Sequence, residues 1–425
     1  MNRKIPPVIE DIKKVDLPTP EIFNFPNDSV LYCTYAHGLP VIRVEIVIMA
    51  GRPFEKKRII SKLTGRLLKD GTKTKTAKQI ADFFDNYGAT INTSSNLDYI
   101  TITLHCLRKY FEQLWPVVVE VLMEPGFHEQ DMLTYINNSI QKLEIDLTKP
   151  EVVAYRTITE KIFGTNHPYG YNSTTELYKA ANQQDLFDHF NANFLPAQTS
   201  VHLSGGYMEC DLDLIMNTLK SWEAKPRPKP VIPSIDIINP ERLHLEIDSS
   251  SQSSLRLGRK MFARSHPDYI DMFILNTLLG GFFGSRLNMN IRENKGMTYS
   301  IGSSLETLSF DGCFIVMADM SHEHINKAIK LIFKEFKKLS DQPIDDDELL
   351  QLKRYLIGTL INAVDGPFNS SGLIKSLVAD QVGLSIWDQA TSRINSIQAT
   401  EIMATAQMYL QPDDFWVVSS GKRIV

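Results

Sequence analysis

The sequence predicts an α+β fold built from two homologous halves, each a mainly antiparallel sheet with helices packed on one face. Three observations support this. A proline-rich segment over residues 221–245, holding Pro226, Pro228, Pro230 and Pro233, divides the 425 residues into two parts of similar length. Each part repeats one order of pattern, strand–strand–helix–turn–helix, which points to a duplicated unit. Pro125 and Pro343 take matching places in the two patterns. Sheets with helices segregated to one face define the α+β class.

Residues 1–27 are rich in proline and charge and are expected to form an extended arm. The first domain is predicted over 28–220. Within it Ile100, Ile102, Leu104 and Cys106 alternate with Thr101, Thr103 and His105, the period of a half-buried strand. A helical run follows from about Tyr110 to Met123, and a second helix is expected after Pro125. The 221–245 segment reads as a semi-rigid linker, because proline favours extended geometry. The second domain is predicted over 246–425. There Ile325, Ala328, Ile329, Ile332, Phe333 and Phe336 fall at helical spacing, with Ser321 placed to cap the helix. The acidic run Asp345, Asp346, Asp347, Glu348 reads as the start of the next helix, where carboxylates favour the positive end of the dipole.

Composition excludes several classes. With 43% hydrophobic and 22% charged residues the chain is ordinary globular material. A net charge of −5 gives no sign of a nucleic-acid binder. No apolar run reaches the roughly 18 residues of a membrane span, and the N-terminus lacks the apolar stretch of a secretory signal, so a cytoplasmic location is the default expectation. Cys33, Cys106, Cys210 and Cys313 are far apart and form no CxxC pair, which reads as buried free thiols rather than catalytic or metal-binding ones.

The most specific segment is LLGGFFGSRLNMNIRENKGMTY, residues 278–299, which sets Arg292 seven residues before Tyr299. Together with LYCTYAHGLPVIRVEIVIMAGRP, LLKDGT at Leu67–Thr72, YGATINTSSNLDYITI and FGTNHPYG at Phe163–Gly170, it makes nearly the whole chain resemble the pitrilysin/insulinase family of zinc peptidases. The likeness is to the branch that includes mitochondrial processing peptidase. Active members carry H-x-x-E-H on a helix, two His for zinc and a Glu as general base, with a distant Glu completing the metal shell. Here the matching stretch is KLTGR, with Lys62 and Arg66 at the His positions and Gly65 at the Glu position. Neither a protonated Lys nor an Arg has a lone pair for a metal. The distal Glu should fall near Lys142–Leu143, with Glu144 adjacent.

The resemblance implies that Arg292 and Tyr299 contact substrate backbone and stabilise the oxyanion formed when water attacks the scissile carbonyl. They would do so on zinc held by another subunit. It also implies that Asn92 lies along bound peptide. The chain is therefore expected to be the zinc-less subunit of a heterodimeric metallopeptidase. Its partner would be a homologous HxxEH-bearing subunit, or a second copy, and its substrates peptides, with no cofactor on this chain and zinc on the partner. The alternative is a pseudo-peptidase that binds peptide or scaffolds a complex without hydrolysis. Read alone, Arg292 is a surface cation beside Glu293 and Tyr299 a strand residue. For Lys62 and Arg66 the default is a solvated basic face, with a site for an acidic peptide or carboxylate as the alternative. Gly280, Gly281 and Gly284 read as a tight turn with close backbone packing. His322 and His324 are too closely spaced to share a helix face as metal ligands. His167 reads as a structural loop residue and His37–Gly38 as a hairpin turn.

Overall fold

The computed structural model describes residue 12 and residues 14–234, 239–247 and 250–422. The strands are β1 (Glu21–Asn24), β2 (Val30–Tyr35), β3 (Val41–Ile48), β4 (Thr90–Ser95), β5 (Ile100–Leu107), β6 (Thr199–Gly205), β7 (Arg242–Glu246), β8 (Ser253–Met261), β9 (Thr298–Thr307), β10 (Gly312–Met320) and β11 (Trp416–Gly421). The helices are α1 (Ile60–Leu67), α2 (Ala77–Asn86), α3 (Phe111–Met123), α4 (Glu129–Asp146), α5 (Pro150–Phe163), α6 (Thr175–Ala180), α7 (Gln183–Asn193), α8 (Glu209–Ser221), α9 (Tyr269–Asn276), α10 (Ile325–Asp341), α11 (Asp346–Ala363), α12 (Gly366–Ala379), α13 (Ile386–Ser396) and α14 (Ala399–Tyr409).

Two sheets form, ordered β1-β2-β6-β3-β5-β4 and β7-β11-β8-β10-β9. Among the described residues only β2–β6 and β7–β11 pair in parallel. The α+β class therefore holds. On one face of the first sheet, Ile42, Val44, Ile46 and Ile48 join Ile100, Ile102, Leu104 and Cys106 in a core shared with α1, α3 and α7. The second sheet builds its core with α10, α11, α13 and α14. β4 and β9 are edge strands at corresponding ends of the two sheets.

The second face of each sheet is covered as well, by a helix from the other half. From the first half, α5 lays Ala154, Ile158 and Ile162 on Cys313, Ile315, Trp416 and Val418. Gly258 permits the approach, since a Cβ there would stand 2.9 Å from Ile162 and 3.0 Å from Ile158. In return α12 crosses the first sheet, but through charge: Lys375 donates to Glu45 at 2.5 Å, and the Arg43 guanidinium sits over the Phe368 ring at 5.2 Å. His202 beneath them stacks on Tyr32, and burial pushes it down to about 3. The halves also meet at their turns. Asp98 accepts from the Ser309 N–H at 3.0 Å and from the Tyr169 hydroxyl; close to Asp98, within the second half, Arg264 pairs with Asp380 at 2.8 Å. Burial raises both carboxyls, Asp380 to about 6.

Several local expectations change. The arm predicted over 1–27 contains β1, and further upstream Val15 is buried against the second half, its carbonyl accepting from Trp387 Nε1 at 2.7 Å. The end of the 221–245 linker is β7, held in register by β11, and its middle is tied to the first half by the Val231 N–H donating to the Pro53 carbonyl at 2.7 Å. His37–Gly38 does turn the chain, with Gly38 at φ +73°, but β2 and β3 do not pair, because β6 enters between them. Ser321 precedes a 3-10 turn, His322–His324, and its side chain makes no capping bond; α10 starts one turn later. Cys33, Cys106 and Cys313 are buried thiols as expected, whereas Cys210, in the first turn of α8, is exposed.

Candidate functional site

Helix α1 is fixed at its N-terminus by a buried carboxylate. Ile59 adopts φ +73°, which turns the chain into the helix. Glu55 then reaches back and accepts from the Ser61 N–H at 2.7 Å and its hydroxyl at 2.6 Å. Tyr171 donates to the other oxygen of Glu55 at 2.6 Å and accepts from the Ile59 N–H at 3.1 Å. These bonds satisfy helix-start donors that would otherwise be orphaned. Burial raises the Glu55 carboxyl despite them.

Lys62 and Arg66, four residues apart, lie on one face of α1. Lys62 Nζ donates to the Tyr178 hydroxyl of α6 at 2.8 Å. Arg66 lies over the Tyr135 ring of α4 at 5.6 Å and reaches Asp70 at 3.3 Å. Gly65 points the other way, into the sheet. A Cβ there would stand 2.9 Å from Ser95 Cβ and 3.0 Å from Ile100 Cγ1.

The residues present do not fit a zinc ion. The two positions that would donate lone pairs carry cations, and the position of the general base has no room for a side chain. On α4, Lys142 follows Tyr135 by seven residues, about 20° off the same face, whereas Glu144 is turned roughly 180° away. Glu144 therefore cannot stand in for the distal ligand. Among the described residues no three His, Cys, Asp or Glu side chains gather into a metal-holding group. His322 is engaged elsewhere, its Nδ1 2.6 Å from the Ser253 hydroxyl.

Asn92 is exposed on edge strand β4, opposite Thr103 of β5. It lines a cleft of about 470 Å³ between β4 and α2 that also includes Lys69 and Asp70. Asp70 thus links the Arg66 face to the cleft.

The second group is built on the glycine-rich segment. Residues Thr277–Gly281 form a π-helical turn, and Gly280 sits so close to β9 that a Cβ would meet the Ser303 nitrogen at 2.5 Å. Arg286 binds Glu348 of α11 through two bonds, 2.7 and 2.6 Å, which fastens the segment to the helix below. A second π-helical turn, Asn288–Glu293, carries Arg292. Such turns are rare and occur frequently at functional sites. Arg292 lies over the Phe283 ring at 5.3 Å and approaches Glu293 only at 3.4 Å. Tyr299, on edge strand β9, is 87% exposed. Arg292 and Tyr299 line one pocket of about 360 Å³ with Gln252, Thr298, Ser321 and His324.

The structure thus brings Arg292 together with Tyr299, and Lys62 and Arg66 together with the approach to Asn92. Among the described residues no hydrogen bond or ion pair joins the two groups. The Glu55–Tyr171 clasp and the two tyrosines beneath the cations were not foreseen from sequence. Only the nearness of Tyr171 to the NHPYG motif hinted at the clasp. His167 in that motif is buried at the junction, stacked on Phe163 at 5.3 Å.

A family model described as insulinase, peptidase family M16, matches residues 35–167, and one described as the peptidase M16 inactive domain matches residues 180–356. An uncharacterized zinc protease of Bacillus subtilis is 21% identical over 81% of this chain and 83% of its own length. A Helicobacter pylori protein named a non-peptidase homolog is 23% identical over 76% of each chain. The crystal structure of a peptidase M16 inactive domain from Pseudomonas fluorescens superposes with a TM-score of 0.88 at 21% identity, covering 96% of this chain and 99% of that one.

Proposed function

This chain belongs to the insulinase (M16) peptidase family as an inactive-type member, and we propose that it is the zinc-less subunit of a heterodimeric metallopeptidase. In this reading a homologous subunit bearing HxxEH supplies the zinc and the general base. Arg292 and Tyr299 complete that site in trans, donating to the oxyanion and the substrate backbone. Preorganised donors of this kind are worth about 10²–10³ in kcat. The reading is supported by the pairing of Arg292 and Tyr299 at one exposed pocket that includes edge strand β9, and by the crowding that a side chain at Gly65 would meet in the first half. Arg292 rests on an aromatic ring and leans only loosely on Glu293, so its donors face a partner at little cost. Peptide would lie extended along β4 past Asn92, where an edge strand offers unpaired backbone groups.

The test is co-purification with an HxxEH-bearing homologue, followed by peptide cleavage with and without chelator. Arg292→Ala and Tyr299→Phe should each lower kcat at least about tenfold while leaving assembly intact. Full activity in both variants would remove the proposed roles. A second reading, a peptide-binding or assembly scaffold without hydrolysis, draws support from the relative named a non-peptidase homolog. It predicts no chelator-sensitive cleavage with any homologous partner.

A further inference from the structure

The misfit between this chain and zinc leaves a set of charges with a use of its own. Between Lys56 and Lys69 the sequence carries Lys56, Lys57, Arg58, Lys62, Arg66 and Lys69 and no acid. Lys57 is neutralised by Asp185. Lys62 has no carboxylate partner among the described residues; its hydrogen bond goes to the neutral hydroxyl of Tyr178, itself buried. Arg66 spends part of its fork on Asp70 at 3.3 and 3.4 Å, too long for a strong bidentate pair. The two cations are held differently: Lys62 Nζ stands at the hydroxyl end of Tyr178, 5.5 Å from the ring centroid, and Arg66 lies over the Tyr135 ring. A ring placed like that of Tyr135 holds a cation by its electron-rich face. Lys142, seven residues after Tyr135, falls about 20° off the Tyr135 face of α4 and brings a third cation to that side of the helix.

We propose that Lys62, Arg66 and Lys142 form a carboxylate-binding seat for peptides, occupying the place where active relatives hold zinc. A zinc peptidase presents positive charge to a peptide carbonyl through its metal. This chain presents positive charge at the same place through side chains that can donate hydrogen bonds but activate no water. Such a seat binds a carboxylate and holds it. The carboxylate is either the C-terminal group of the peptide or an Asp or Glu side chain. The seat adjoins the β4 cleft through Asp70, so a peptide along the edge strand reaches it without leaving the molecule. This inference rests on the reading of the chain as a peptide-binding member and names the peptide's chemistry.

Fluorescence anisotropy of the full chain tests it, with a short unstructured peptide that carries an uncharged fluorophore, contains an internal Glu and has a free C-terminus. Companion peptides carry a C-terminal amide, Gln for Glu, or both. Neutralising both carboxylates should weaken binding at least about tenfold, or roughly 1.4 kcal/mol, and the singly neutralised peptides show which group the seat prefers. The Lys62→Gln/Arg66→Gln variant should lose the same factor on the charged peptide and nothing on the neutral one. Lys62→Arg/Arg66→Lys, which keeps both positive charges, should restore binding. The preference should shrink with added salt. Equal wild-type affinity for charged and neutral peptides overturns the seat alone, as does full binding by the Gln variant. Binding of neither peptide overturns the peptide-binding reading together with the seat.

Discussion

Gly65 and Gly358 make opposite predictions for one substitution. Both lie inside helices, α1 and α11, where replacing Gly by Ala stabilises by about 1 kcal/mol if nothing opposes it. At Gly358 nothing lies within 4 Å of an added Cβ, so Gly358→Ala should gain that full amount. At Gly65 the new methyl would meet Ser95 Cβ at 2.9 Å and the Ile100 carbons at 3.0 and 3.2 Å. Ser95 Cβ is attached directly to strand β4, and Ile100 is fully buried in β5, so neither has a flexible end to move aside. Overpacking of this kind costs about 1–3 kcal/mol. Set against the helical gain, Gly65→Ala should come out destabilised by about 1 kcal/mol, leaving the two variants about 2 kcal/mol apart. Equilibrium urea unfolding, followed by far-UV circular dichroism, reads this as midpoint shifts of opposite sign. Equal stabilisation in both variants would refute the tight packing of α1 on the sheet, and with it the steric exclusion of a general base at Gly65.

Further outcomes follow from the junction between the halves. The Asp380 carboxyl, held up to about 6 by burial against an ordinary value of 3.8, binds its proton more tightly in the folded state than in the unfolded one. Its contribution to stability is therefore fully present below about pH 4 and lost as pH rises through about 6, a change of up to about 3 kcal/mol. Asp380→Asn should flatten the stability profile between pH 4 and 6, and an unaltered profile would count against that assignment. Trp387→Phe removes the 2.7 Å bond to the Val15 carbonyl while keeping most of the ring, so limited proteolysis should cut the N-terminal arm faster with little change in global unfolding. Unchanged cleavage would mean that the arm is held by burial of Val15 alone.

Much of this fold was legible because its signals are local. The alternation of Ile100, Ile102, Leu104 and Cys106 and the helical spacing of Ile325 to Phe336 report burial directly, and both elements form where expected. Asp345 caps α11 through its bond to the Glu348 N–H at 2.8 Å, as the acidic run suggested. What sequence did not convey is long-range. No local pattern announces that β6, more than 150 residues on, separates β2 from β3, or that α5 and α12 exchange sheets. The charged face of β3, Arg43 and Glu45, carries the signature of solvent exposure and is instead covered by α12. At the candidate site, the cations Lys62 and Arg66 were plain in the sequence, but the crowding of Gly65 against Ser95 is visible only once α1 and β4 are in place.

The central claim is that this chain holds no catalytic zinc of its own. Elemental mass spectrometry tests it on the purified protein, after incubation with zinc and exhaustive dialysis. The account predicts zinc at background level, unchanged by Lys62→Ala or Arg66→Ala. About one tightly held zinc per chain would contradict it.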